Sequence, residues 1–520
     1  MRTNYTDNMT DYIIKTKKFL TELLCMAVLA FAFLLCTASV ANADSEAFVN
    51  VGLKYGSNSI LSCSLRSDDG FVYGRMTDSG IEEASRFSQY SELNISLGSG
   101  IISVMAPDGT SFEFGEGYCL APAGYDTDAL IYIDSVPYRG GVTFLKNSSG
   151  GLNIINHVSL DDYVRGVLGA ELGGSAPLEA LKAQAVAARS YAVCNKGKHS
   201  SQGFDVCNST HCQVYKGFTA ESKNTNTASE ETAGEVLYYD GSPVEGLYSK
   251  NCGGYTQNVE DVWGTKLGYL RAVKDEYSPE YSWNVSYTFS QLESMLESAG
   301  KSVGTLSSVS IDGRYDNGYV SELTFRGSSG STTFKGEKIK SFFGTSVVKS
   351  NLFSFSYITQ DSIGISGSLS ANSAGAPASG SSNSNTAAAG GGTSEIAEVY
   401  ISDGNSLKTA GSSLYVIAGD GSKTKIKTKE IVASNGTSKA VLSDSGDSAD
   451  KDSGKDSPKP AASLPEAETV TGGNVTVYGL GYGHGVGMPQ DSAINMAKLG
   501  FDYRTILKYY YTDVQIKQYN

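Results

Sequence analysis

The sequence predicts an α+β chain: a mixed, sheet-rich body with a few helices, interrupted by a low-complexity insert that carries a small β-module. Three observations lead there. Short alternating apolar runs, separated by turn residues, recur along most of the chain and read as strands. Two consecutive segments near the middle carry apolar residues at helical spacing. A long stretch of almost pure Ser, Gly, Ala, Asn and Thr is too poor in apolar residues to pack.

Residues 1–43 hold a basic flank (Lys15, Lys17, Lys18), an apolar run and a small-residue ending at Ala41–Ala43, the pattern of a signal peptide. An uncleaved signal anchor is the alternative, because the apolar run is long. Either way the remainder is expected outside the cell or in the cell envelope. Residues 45–125 read as a β-rich region, with "FVNVGLKYG" and "SFEFGEGY" as strands and "APDGTS" as a turn. Residues 126–365 read as the main body.

Within the body, "ALIYIDSV", "GVTFLK" and "LNIINHV" are strand-like. "SLDDYVRGVLGAELGG" reads as a short helix, with Ser159 as N-cap and Gly173–Gly174 as its stop. A longer helix follows, its start marked by Ser175, Pro177 and Glu179. "EVLYYDGSPVEGLYS" reads as a hairpin turning at Asp240–Gly241. Residues 366–394 are a Ser/Gly/Ala linker, 395–442 a small β-module with Asp-Gly turns, and 443–472 an acidic, Pro-containing linker. Residues 473–520 must fold back to complete the body, so the insert is expected to loop out of it.

The formal charge is −14, and no basic block stands out in the exported part. Nucleic acid is therefore excluded as a partner, since phosphate contacts need clustered Lys and Arg. Six cysteines lie beyond the leader. Cys63 and Cys119 could pair with each other.

Three constellations carry chemistry. Glu171 ends a helix, where the negative end of the dipole disfavours a carboxylate, so its pKa should move upward. Partial burial would raise it further and make a general acid; otherwise it is an ordinary exposed glutamate. Two of the chain's four histidines, His199 and His211, share the stretch "HSSQGFDVCNSTHCQVY" with Cys207 and Cys212. Two imidazoles and two thiolates suit tetrahedral zinc, and a Cys207–Cys212 disulfide is the competing reading. Adjacent His211 and Cys212 would strain simultaneous ligation. Finally, "GYGHGVGM" flanks His484 with glycines that let backbone approach a ligand, or simply forms a tight bulged strand.

Taken together, "LDDYVRGVLGAELGGSAPLEALKAQAVAARSYAV", "FDVCNSTHCQVYKG", "CGGYTQNVEDVWG" and "GYGHGVGMPQ" resemble the stage II sporulation protein D and amidase-enhancer family. The resemblance implies lytic transglycosylase action on peptidoglycan glycan strands, with Glu171 as the catalytic acid. It favours zinc over the disulfide, in a structural role, at His199, Cys207, His211 and Cys212. It makes Lys182, Gln184, Arg189, Gln213, Tyr215, His484 and Gln490 candidates to line the glycan cleft. Lys182 and Arg189 lie seven apart on one helix face, able to reach carboxylate or sugar oxygens. Pro489 stands where the family has serine, and it offers neither hydroxyl nor N–H. The alternative function is a non-catalytic, glycan-binding enhancer of a cell-wall amidase. A zinc hydrolase is disfavoured, since no HExxH pattern exists. Contact with a membrane is expected only if the N-terminal segment stays uncleaved.

Overall fold

The computed structural model describes residues 47–363, apart from 78, 79 and 126, together with Leu464 and residues 467–519; between 398 and 442 it describes the backbone of six strands. The proposed leader, the first linker and most of the second lie outside the described residues. Among the described residues no helix is long and apolar enough to cross a membrane.

The fold is mixed α+β. A seven-stranded sheet runs, in spatial order, through Val206–Cys207, Phe48–Lys54, Leu152–Ser159, Gly141–Lys146, Tyr118–Pro122, Phe71–Thr77 and Gly80–Phe87. It crosses the boundary expected at residue 125, because Phe48–Lys54 pairs antiparallel with Leu152–Ser159. A six-stranded sheet spans 62–138 and shares one apolar core with the first sheet and with two helices. Cys63 and Cys119 sit in different sheets as buried free thiols.

Helix α1 is Leu160–Glu171, and Ser159 caps it by accepting from the Asp162 N–H. Helix α2 is Leu178–Cys194. It starts at Pro177 without a side-chain cap rather than at Ser175, since proline's fixed φ preorganises the entry. Helix α2 is buried over most of its length and α1 over half of it, and small residues on α2 allow this close packing. One side of α2 (Leu181, Ala185, Ala188) joins the sheet core, while Ala183, Val186 and Ala187 join a second core. That second core is filled from the C-terminal block by helices α3 (Gln490–Lys498) and α4 (Tyr503–Tyr510).

The C-terminal block is threaded through the body. Asn474–Leu480 pairs with Ser282–Thr288, Met488–Pro489 with Tyr248–Ser249, and Gln515–Gln518 with Glu235–Tyr239. The hairpin at Asp240–Gly241 has φ of 50° and 80°, the left-handed pair that a tight two-residue turn requires. Glu468–Thr471 is a strand paired with Leu306–Arg314, so the linker expected over 443–472 ends earlier. Val470 packs on the neighbouring core and Glu468 is paired with Arg314, which explains why this stretch orders. Between 398 and 442 the backbone forms a four-stranded sheet and a separate two-stranded hairpin.

Candidate active site and metal centre

Glu171 is the last residue of α1, and its side chain turns into a half-buried junction of three segments. Its Oε1 accepts the Val214 backbone N–H at 3.0 Å, and its Oε2 accepts from Gln490 Nε2 at 3.3 Å. The Tyr248 side chain lies beside the same carboxylate. Burial pushes the Glu171 carboxyl above the usual carboxylate range, and Val214, Gln490 and Tyr248 pull it partly back. Burial, rather than the helix end, is thus the main cause of the shift.

The groups on this carboxyl are all uncharged, and they belong to a longer chain of contacts. Gln213 donates to the Tyr248 hydroxyl at 3.0 Å and accepts from the Tyr163 hydroxyl at 3.1 Å. Tyr248 is brought here by its parallel pairing with Met488, which also places Gln490 at the first turn of α3. Pro489 is the N-cap of that helix, a position that needs no N–H donation into the helix. Arranged so, a protonated Glu171 can give a proton to a bound oxygen and later take one back.

The four His/Cys side chains converge. Their ligand atoms all lie within 4.8 Å of one another. His199 Nε2 is 3.2 Å from His211 Nδ1 and 3.4 Å from Cys212 Sγ, and His211 Nδ1 is 3.7 Å from Cys207 Sγ and 3.6 Å from Cys212 Sγ. A regular zinc tetrahedron with ordinary bond lengths has N–N edges of about 3.3 Å and N–S edges of about 3.6 Å. Four of the six edges therefore match a tetrahedral metal. The adjacency of His211 and Cys212 is accommodated by a tight turn from Ser209, with Cys212 N–H bonded to the Ser209 carbonyl at 3.0 Å. Gln202 Oε1 lies 3.0 Å from His199 Nδ1, fixing that ring so that Nε2 points into the cluster. Cys207 is anchored by the pairing of Val206–Cys207 with Phe48–Lys54. All six described cysteines are free thiols.

Three expected cleft residues are engaged by protein partners. Arg189 is fully buried and paired with Asp161 at 2.6 Å, and it also donates to the Glu235 carbonyl. Lys182 pairs with Glu179 and Glu231. Tyr215 is buried, its hydroxyl donating to Asn156 Oδ1 at 2.7 Å. Each has found a protein partner distant in sequence or across a turn of helix. Gln184 is fully buried, with neither side-chain polar atom hydrogen-bonded. His484 is half-buried; its Nδ1 accepts the Val486 N–H at 3.0 Å, and burial lowers its pKa to about 4. The flanking glycines admit this packing: a Cβ on Gly485 (φ 72°) would stand 2.5 Å from the Tyr319 hydroxyl, and one on Gly487 (φ 73°) 2.0 Å from the Leu247 carbonyl. Val214 and Tyr248 were missed from sequence. A backbone N–H carries no residue-type signal, and Tyr248 reads as one more strand aromatic.

Fold and site define a mixed α+β domain that holds a half-buried carboxyl group, Glu171, beside a His/Cys cluster. Residues 148–239, which hold Glu171 and the cluster, match the family model described as stage II sporulation protein. The chain is 36% identical over 168 residues to the amidase enhancer of Bacillus subtilis, covering 32% of this chain and 23% of that protein. It is 30% identical over 173 residues to stage II sporulation protein D of Bacillus subtilis, covering 28% of this chain and 50% of that protein. An uncharacterised protein of Brachyspira hyodysenteriae is 35% identical over 150 residues, covering 29% and 40%. The matches thus span half or less of each relative's own length. The similarity to the stage II sporulation protein family is thus carried by residues 148–239.

Proposed function

We propose that this protein is an exported peptidoglycan lytic transglycosylase, with residues 1–43 as signal or anchor and Glu171 as its acid. The observation that carries the reading is the Glu171 carboxyl itself: half-buried, raised in pKa, held by two uncharged donors beside Tyr248, with no charged group among the described residues shifting it. Glycoside hydrolysis usually needs a second carboxylate to activate water or to attack the sugar. One acid suffices when the sugar supplies its own nucleophile. Glu171 protonates the glycosidic oxygen as the bond from muramic acid C1 to that oxygen breaks. The resulting carboxylate then takes the proton of the same sugar's 6-hydroxyl, whose oxygen bonds to C1. The product is a 1,6-anhydro end, no water is consumed, and Glu171 finishes protonated.

His199, Cys207, His211 and Cys212 would hold zinc in a structural role. Four protein ligands leave no open position on a tetrahedral ion, and the loop they close leads directly to Gln213 and Val214. Gln213, Gln490 and Tyr248 are the polar groups placed to contact glycan beside Glu171. Incubation with peptide-free glycan strands tests the reading: anhydro-muramic ends support it, and ordinary reducing ends contradict it.

The second reading, a glycan-binding enhancer of a cell-wall amidase, is favoured by the 36% identity to a protein named amidase enhancer. Stimulation of a purified amidase to the same extent by the protein and by its Glu171→Gln variant would support it.

A further inference from the structure

We propose an accessory sugar-binding subsite centred on Trp263, which extends the glycan path beyond Tyr248; the inference rests on the reading of the protein as a glycan binder. Trp263 ends the short helix Val259–Trp263 and is 52% exposed. Its ring lies 5.0 Å from that of His484. His484 Nδ1 is occupied within the protein by the Val486 N–H. His484 is a positioning residue: it lies four residues before Met488, which pairs with Tyr248, and so ties the indole to that strand.

The placement is rigid on the other side as well. Gln257, two residues before that helix, donates its side-chain amide to the His484 carbonyl at 2.8 Å and its backbone N–H to the Gly485 carbonyl at 2.7 Å. A second exposed ring, Tyr482, stands two residues before His484. The Lys349 ammonium lies 5.8 Å from its centre and 5.0 Å from that of Tyr281. Lys250, paired with Asp491 at 2.7 Å, adds charge beside the same loop.

An exposed tryptophan packed against His484, whose loop also carries the exposed Tyr482 with Lys349 over its ring, matches a pyranose ring. The sugar's C–H face lies on the indole, and its hydroxyls, or a carboxylate on the strand, meet the charged rim. A hydrophobic peptide would need a contiguous apolar groove, and the charged rim does not supply one.

The chain has two tryptophans, and Trp283 is buried, with its N–H on the Gly481 carbonyl. Fluorescence changes on ligand addition thus report Trp263. The test is to titrate the full-length Glu171→Gln protein, and the same protein carrying Trp263→Ala or Trp263→Phe, with N-acetylglucosamine oligomers of increasing length. The expected result is saturable fluorescence change with long oligomers, affinity roughly tenfold weaker in Trp263→Ala, and most affinity kept in Trp263→Phe. Isothermal titration calorimetry measures the Ala and Phe variants, which both lack the reporter. Equal affinity of the Ala variant and its parent for long oligomers would overturn the subsite. Cleavage with no dependence on Trp263 would sink the subsite and leave the enzyme standing. Trp263-dependent binding without cleavage would do the reverse.

Discussion

The Glu171 carboxylate and the Val214 backbone N–H meet at 3.0 Å, and Val214 stands two residues beyond Cys212 of the His/Cys cluster. One short loop therefore both closes the candidate metal centre and positions the candidate acid. Loosening the cluster should be felt at Glu171 without any direct contact between them.

The protein as isolated is expected to contain one zinc ion per chain. Its removal by chelation, or the Cys212→Ser change, should lower the melting temperature by several degrees, since a ligand present at about a thousand times its Kd adds about 4 kcal/mol. Elemental analysis and scanning calorimetry check this. Titration of reactive thiols that finds a Cys207–Cys212 disulfide in place of metal would contradict it.

Arg189 should prove structural. Removing one partner of a buried ion pair typically costs about 3–5 kcal/mol, so Arg189→Ala should lose that much in urea denaturation. A stable Arg189→Ala protein with weakened glycan binding would restore the cleft role that the sequence pattern suggested.

Some of the site was legible in the sequence because its cues are local. The Ser159 cap, the glycines after Glu171, and the packing of two His and two Cys into one loop all lie within a few residues of what they organise. The rest is topological. Gln490 reaches Glu171 across 319 residues, and Tyr248 arrives through a two-residue parallel pairing. Arg189 misled for the same reason: its helical spacing points to a polar face, while its partners, Asp161 and the Glu235 carbonyl, come from other segments.

Cleavage should depend on pH through Glu171. Only the protonated form donates, so kcat/KM should fall as pH rises through a value above the ordinary carboxylate range. Gln490→Ala removes a donor that favours the ionised form, so it should move this alkaline limb further upward. A pH–rate profile of both proteins checks the shift. The linked stability has the same sign: folding holds the proton more tightly, so the contribution present below the unfolded pKa is lost as pH rises through the folded one.

His484 should remain neutral at pH 5.5, because its folded pKa is lowered to about 4. The unfolded chain takes up that proton near 6.5, so stability should decline as pH falls from about 6.5 toward 4. Imidazole chemical shifts followed by NMR report the ring directly, and a midpoint near 6.5 would contradict its burial against Tyr248.

The most direct test of the central claim compares the protein and its Glu171→Gln variant on peptide-free glycan strands, with products read by mass spectrometry. General acid catalysis is worth about 10²–10⁴-fold, so 1,6-anhydro-muramic ends should form with the protein and fall by at least two orders of magnitude with the variant. Equal cleavage by both would remove Glu171 from the chemistry, and binding without cleavage by either would leave the amidase-enhancer reading in its place.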